Sequence, residues 1–338
     1  MLLPNGVPSL FNWAKTLDPT GKTSKVVELL NIKNPILADI PYLEGNTPTG
    51  HRASVRVGLP AVAWRLFNQG IPPTTSVEAQ IDYASGLLEA WSEVDCELAR
   101  LNGNTFEFRA MKAKAHLESM AQEAASTLFY GNGKVTPAEF TGLSPFYSSK
   151  SAQSGQNILD AGGTGVDNMS IWLIGWSTET VHGIFPKGSK AGLDHRDLGE
   201  GVAELTAGIG GSRMLVYRDQ FTWKMGLALI DWRYCVRAAN ISKAALVADN
   251  NSPDIIKLLS RMLDRIPDDS GVNLTFYCNR TLFSWLRIQA LAKSNNILAI
   301  VDALDQFGNP VTNRKRMEFD GIPIKRCDAL LTSESQVT

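Results

Sequence analysis

The chain has 338 residues, a formal net charge of −1 and 44% hydrophobic residues, which is ample for one large or two medium domains. No block of like charges occurs, so the electrostatic footprint of a dedicated nucleic-acid or membrane-surface binder is missing. Cys96, Cys235, Cys278 and Cys327 are scattered without a CxxC pair, which argues against a disulfide framework or zinc module and for inert thiols in a reducing cytoplasm. The N-terminus lacks the basic-then-apolar order of a secretory signal, and no apolar run reaches the roughly 18 residues of a membrane span.

Residues 1–50 read as an arm. Pro4, Pro8, Pro19, Pro35, Pro41 and Pro48 interrupt it, and its one short helix, Ser24–Leu30, has an apolar face with little nearby to bury against. Such a segment gains stability by lying on another surface, including that of another chain. Residues 51–82 read as a long two-stranded excursion. His51–Val57 alternates as a strand with one solvated face, Gly58–Pro60 turns, and Val62–Phe67 continues. A second turn at Gly70–Pro73 leads to a return strand at Thr74–Tyr83. A hairpin of this size carries too little side-chain mass for a core of its own, so it should protrude or lie across a neighbour.

A long helix follows over 104–130. Asn104 is a good N-cap, and Ala110, Ala113, Leu117, Met120, Ala121, Ala124 and Leu128 recur at helical spacing. Gly131 is expected to stop it with positive φ. About 26 residues at 1.5 Å each make a rod of about 40 Å, long enough to act as a spine. Ser148–Asn168 is polar and Gly-rich, a loop. Ile171–Trp176 is a short apolar strand, 183–211 a Gly- and charge-rich loop insertion, and Met214–Asn240 a pair of long strands. Ser252, Pro253 and Asp254 form a helix start, with Ser at the N-cap and Pro at N1, and Pro267 ends that helix. Val272–Cys278 reads as a buried strand and Arg280–Lys293 as an amphipathic helix. A strand meander with an Asp320-Gly321 hairpin turn occupies Ile297–Leu331, and the last seven residues are polar and expected to be mobile.

Candidate chemistry is sparse. Thr16–Thr23 ends in Gly21-Lys22-Thr23, but the first P-loop glycine is replaced by Thr16 and no buried strand precedes it, so a flexible arm is the better account. Gly162-Gly163-Thr164-Gly165 and Gly208-Ile209-Gly210-Gly211 lack the helix a dinucleotide fingerprint requires. His182, Asp194, His195 and Asp197 match neither HxxxH nor HExxH spacing. No GxSxG elbow occurs. The residues point to a scaffold without catalytic, cofactor or metal site; the alternative of another class is a soluble nucleotide- or metal-dependent enzyme built on 16–23 or 182–197.

The order of parts, together with Phe129-Tyr130-Gly131-Asn132-Gly133, Phe140-Thr141-Gly142-Leu143, Trp223-Lys224-Met225-Gly226-Leu227, Asp231-Trp232-Arg233-Tyr234, and Phe319-Asp320-Gly321-Ile322-Pro323-Ile324 with Asp328-Ala329-Leu330, resembles the major capsid proteins of tailed phages. These have the Hong Kong 97-type α+β fold, and the local stretches are similar to its short-tailed phage (podovirus) branch. The resemblance implies an N-arm at 1–50, an E-loop at 51–82 and a P-domain at 83–160 containing the spine helix. It further implies P-domain strands at 161–250, A-domain helices and strand at 251–300, and closing P-domain strands with a tail at 301–338. It implies an icosahedral virion shell of pentamers and hexamers, assembled in the host bacterial cytoplasm, that encloses double-stranded DNA without gripping it. Implied partners are further copies of the chain, a separate scaffolding protein (no room remains before the spine for a cleavable scaffolding domain), a portal protein and a decoration or cement protein; no membrane is involved. An encapsulin-type cellular compartment is the alternative within the fold. Some relatives cross-link through an E-loop lysine, but no lysine lies between Lys33 and Lys112 here, so closure is expected to be non-covalent. Trp64, Leu66 and Phe67 are then the candidate intersubunit contacts.

Overall fold

The computed structural model describes residues 34–101, 103–204, 213–248, 253–268, 270–292, 298–304 and 310–338. The expected arm helix at Ser24–Leu30 and the segment Thr16–Thr23 lie outside the described residues, as does Gly208–Gly211. In chain order, helix α1 (Ile36–Asp39) and strand β1 (Tyr42–Glu44) lead into β2 (Gly50–Gly58) and β3 (Val77–Asp95). Helices α2 (Cys96–Arg100), α3 (Thr105–Tyr130) and α4 (Leu143–Phe146) come next. Strands β4 (Ile158–Asp160), β5 (Asn168–Trp176), β6 (Val181–Phe185), β7 (Leu193–Glu204), β8 (Arg213–Leu229) and β9 (Cys235–Ser242) follow. Then come α5 (Lys243–Ala248), α6 (Ile255–Leu263), β10 (Asn273–Cys278), α7 (Arg280–Ala292), β11 (Leu298–Leu304), β12 (Pro310–Phe319) and β13 (Ile322–Arg326). The chain divides into two compact units, one holding Leu87–Ala124 and Gly192–Lys224, the other Lys33–Gly86, Ala125–Ala191 and Met225–Thr338.

In the larger unit β5 is buried at every residue, so it needs cover on both faces and partners on both edges. It pairs antiparallel with β10 on one edge and with β9 on the other. β10 runs parallel to β13, which continues antiparallel into β12 and β11. Beyond Trp176, β6 takes over, flanked by β1 in parallel and by the end of β8 in antiparallel. The β12–β13 turn is the expected Asp320-Gly321, with φ of 51° and 76°, the geometry a two-residue turn of this hand requires.

Helices α6 and α7 cover one face of β5. Ile255, Leu259, Met262, Leu282 and Leu286 interlock with Ile171, Leu173, Val236 and Phe276 in one buried cluster. The helix start differs from the expectation. Asp254 is the N-cap and accepts from Lys257 N–H, and Ser252 lies outside the described residues. On the other face sits an aromatic group. The Phe129 ring lies 6.2 Å from Trp172 and 6.4 Å from Tyr277, and Tyr147 meets Trp172 edge-on at 5.8 Å. Residues 34–50, part of the expected arm, belong to this unit; Ile36 and Ile40 are buried in it.

The smaller unit holds most of the long helix. α3 begins after Asn104, whose side chain accepts from Glu107 N–H at 3.4 Å, as the sequence predicts. Val94, Leu98, Ala99 and Phe108 form its core, with Met111 and Tyr217 packed against them. Over its described part, 183–204, the segment 183–211 is not the loop insertion expected from its glycines and charges. Leu193–Glu204 form β7, paired residue by residue with β8 from Trp223 to Arg213. Charged residues can line such a strand because the helices of the same unit supply counter-charges: Arg109 of α3 binds Asp197 at 2.7 Å and Asp219 of β8 at 2.9 Å, and Arg100 of α2 binds Glu200 at 2.6 Å. The one irregularity, at Asp197/Gly199, is a bulge in which Gly199 adopts φ of 68°.

Two further expectations are corrected. Gly131 does not take the positive φ predicted for it. It ends α3 by close approach, since a Cβ there would lie 2.6 Å from both Phe140 O and Thr127 O. Nor is the C-terminal segment a free tail. Glu334 N–H donates to Asn168 O at 2.9 Å, Val337 N–H to Asn240 Oδ1 at 2.8 Å, and Lys150 N–H to Thr338 O at 3.0 Å. Its polar composition reflects a buried polar partner, described next.

Candidate functional site

The excursion between β2 and β3 is the most exposed apolar feature among the described residues. β2 and β3 pair antiparallel from Gly50↔Ala84 to Arg56↔Glu78. The ladder is clamped by Arg52, whose guanidinium donates to both Asp82 oxygens at 2.6 and 2.9 Å, and by Asn46, which exchanges two 2.7 Å bonds with the Arg52 backbone. Gly50 is needed at the root because a Cβ there would lie 2.0 Å from Tyr83 O. Beyond Gly58 the chain leaves strand geometry. Val62–Phe67 is irregular, where a strand was expected, and the turn falls at Leu66–Gln69, closed by a 3.2 Å bond with Asn68 at φ 64°. The pleated strand ends where no partner faces it. The return strand is correspondingly displaced, starting at Val77 and running on to Asp95.

Trp64, Leu66 and Phe67 all lie on this tip, with relative exposures of 103%, 74% and 97%; Leu59 and Val62 beside them are equally open. Contiguous exposed apolar side chains of this kind are the surfaces by which proteins commonly bind partners. Arg52, Arg56 and Arg65 supply the only cationic side chains from Gly50 to Phe67, and none carries the primary amine of a lysine.

Two clefts lie in the larger unit. One, of about 500 Å³, is lined by Ser54, Leu59, Glu179, Asp231 and Arg233 among others. Its charged pair is self-contained, since Arg233 donates to Asp231 at 2.7 and 3.0 Å and the Asp231 side chain also caps Arg233 N–H. The second, of about 480 Å³, is lined by Asp82, Tyr83, Lys134, Thr141 and Phe146 among others.

The histidines and aspartates weighed as metal ligands are dispersed. His182 is buried on β6, in the larger unit, whereas Asp194, His195 and Asp197 belong to the smaller one. There His195 Nε2 lies 3.0 Å from Asp219 and its ring stacks on Phe221 at 4.7 Å, Asp197 binds Arg109, and Asp194 binds Arg196. Among the described residues no three His, Cys, Asp or Glu side chains gather as a metal site would require. Gly162-Gly163-Thr164-Gly165 is a largely exposed loop that leads into strand β5 and not into a helix; within it a Cβ on Gly163 would lie 2.4 Å from Asn168 Oδ1. All four cysteines are free and buried; burial pushes Cys327 up to about 12 and Cys235 and Cys278 further. No described helix is long and apolar enough to cross a membrane.

Sequence reading missed a buried polar centre. Arg237 on β9 and Glu334 in the terminal segment are each about 5% exposed and bond at 2.8 Å. Arg237 also donates to Tyr147 O at 2.8 Å and Ser170 Oγ at 3.1 Å, and its guanidinium lies 5.0 Å from the Trp172 ring centre. Glu334 accepts from Tyr130 Oη at 2.5 Å and from Ser170 Oγ. The signal was an arginine in the strand Cys235–Ile241, whose other residues are apolar save Asn240, and which demands a buried acceptor from somewhere in the chain.

A family model described as "Major capsid protein GP7" matches residues 18–338. No curated protein matches the chain. Among solved structures, a chain of bacteriophage Epsilon15 is 28% identical, with 100% of this chain and 99% of that one covered and a TM-score of 0.77. The capsid chain of the native GTA particle is 11% identical, covering 67% of this chain and 95% of its own, with a TM-score of 0.44. The SrpI encapsulin of Synechococcus elongatus PCC 7942 is also 11% identical, covering 65% and 92%, with a TM-score of 0.43.

Proposed function

This chain belongs to the major capsid protein GP7 family, and from that premise we propose that its copies assemble into the icosahedral head of a tailed phage and enclose double-stranded DNA. It is a phage major capsid protein with the Hong Kong 97-type fold. The observation that carries the assembly reading is the excursion tip. A single chain leaves Trp64 and Phe67 wholly uncovered, and burial of each on a neighbouring copy would contribute roughly 1.5–3 kcal/mol. Residues 1–50 act as the N-arm, 51–82 as the E-loop, 83–250 and 301–338 as the P-domain and 251–300 as the A-domain. One chain makes both pentamers and hexamers by heterologous contacts that close into rings. The protein does no catalysis and takes no cofactor.

With no lysine between Lys33 and Lys112, the shell closes without covalent links from this loop. A scaffolding protein sets its size during assembly in the host cytoplasm, a portal occupies one vertex, and a cement protein reinforces a shell that lacks cross-links. The test is electron microscopy of the chain expressed with and without the scaffolding protein of its phage. Closed shells holding nuclease-protected DNA after packaging support the reading. Uniform monomers under every assembly condition would refute it, and a protein cargo in place of DNA would favour a cellular compartment. A ladder of covalent multimers on denaturing gels would overturn non-covalent closure.

A further inference from the structure

β2 and β6 lie in the same unit and bring two histidines together at the root of the excursion. His182, on β6, is 2% exposed, and neither of its ring nitrogens has a hydrogen-bond partner. His51, on β2, approaches it edge-on, with ring centres 6.0 Å apart and planes at 78°, and its Nδ1 is also buried and unpartnered. Buried imidazoles ordinarily satisfy both nitrogens. Even pointed at each other, rings at this separation leave their nitrogens about 3.7 Å apart, beyond hydrogen-bond range. The pair therefore packs ring against ring, without a hydrogen bond between the two.

We propose that His182, packed against His51, forms an acid-sensitive latch that holds the root of β2 against β6 while the His182 ring is neutral and releases it when that ring is protonated. The charges beside His51 and Tyr83 on β2 and β3, Arg52 and Asp82, are bonded to each other. Opposite His182 on β8 is Ala228; opposite His51 on β3 is Tyr83, whose hydroxyl donates to Leu229 O. On β1 the neighbour in register is Tyr42, across from Gly183. Burial pushes both phenols up to about 12, so they stay neutral. The carboxylates at the strand ends are engaged elsewhere, Glu44 with Gly188 N–H and Asp231 with Arg233. Burial first, and the neighbouring His51 second, hold His182 down to about 4, against the smaller opposite pull of the Ser177 backbone.

The direction follows from proton linkage. An opened root lets His182 titrate near its ordinary 6.5, whereas the closed root holds it near 4. Acid therefore favours opening. Between about pH 7 and pH 4.5 the open population should rise roughly sixtyfold. Among the described strands β2 pairs with β3 alone, so loss of its contact with β6 frees the root and changes the direction in which Trp64 and Phe67 are presented. The latch acts within one chain and does not depend on the shell reading.

The test is hydrogen exchange of the full-length chain, read on peptides spanning 50–58 and corrected for intrinsic rates, from about pH 7 to pH 4.5. The expected result is a fall in β2 protection of more than about tenfold, with β5 and β10 unchanged. His182→Phe should flatten that response. His51→Gln, at a half-buried position, should fold in any case; it should weaken the response and raise the His182 titration point observed by NMR. A pH-independent β2 in the parent, the same fall in His182→Phe, or an unmoved His182 titration in His51→Gln would each overturn the latch.

Discussion

Glu334→Gln removes one charge from the buried Arg237 pair while nearly preserving shape. Breaking a buried pair by taking away one partner costs about 3–5 kcal/mol, because the other charge is left without compensation. Arg237 would keep Tyr147 O at 2.8 Å, Ser170 Oγ at 3.1 Å and the Trp172 face, which places the expected loss at the lower end, about 3 kcal/mol. The loss should appear as a lower midpoint in urea denaturation followed by tryptophan fluorescence, with Trp172 a direct reporter. Arg237→Met combined with Glu334→Leu removes both charges and should return to within about 1–2 kcal/mol of the parent. A Glu334→Gln chain within about 1 kcal/mol of the parent would refute the reasoning. A double variant that loses the sum of the two single changes would do so as well, since it would mean that the segment is held by packing alone.

Four other outcomes are expected. Gly142→Ala would place a Cβ 2.4 Å from Thr127 O and 2.7 Å from Leu128 O, both backbone, and should cost about 2–4 kcal/mol in the same denaturation assay. Trp64→Ser with Phe67→Ser should leave the stability of the isolated chain within about 0.5 kcal/mol while abolishing shell assembly by sedimentation or microscopy. The four buried thiols should resist a thiol reagent in native conditions and react fully in denaturant, as counted by absorbance. His182 is depressed from 6.5 to about 4, so the unfolded state binds a proton more readily between those values and stability should fall as pH drops through that window. The total is about 3 kcal/mol, and His182→Phe should lack that slope in a pH series of melts.

The helix at 104–130, the buried strand at 171–176, the two amphipathic helices after Pro253 and the Asp320-Gly321 turn were all legible in the sequence. In each, the decisive interactions lie within a few residues: an N-cap three residues from its donor, an apolar period, a turn that needs two positive φ angles. The lysine-free excursion and its apolar tip were legible for the same reason, being a matter of composition over one continuous stretch.

What tertiary structure decided was set by partners distant in the chain. Leu193–Glu204 has the composition of a loop and becomes a strand because β8 lies alongside and Arg109, far upstream, neutralises Asp197 and Asp219. The terminal segment has the composition of a mobile tail, yet it is drawn into the core by an arginine 97 residues earlier whose charge cannot be buried unpaired. Gly131 is required by a backbone carbonyl approaching from Phe140 as much as by its own helix. The two histidines at the excursion's root lie on separate strands, and only the folding of β2 against β6 makes them neighbours. Local periodicity writes an element into its own residues, whereas the worth of a buried charge or a close contact depends on what the fold brings opposite it.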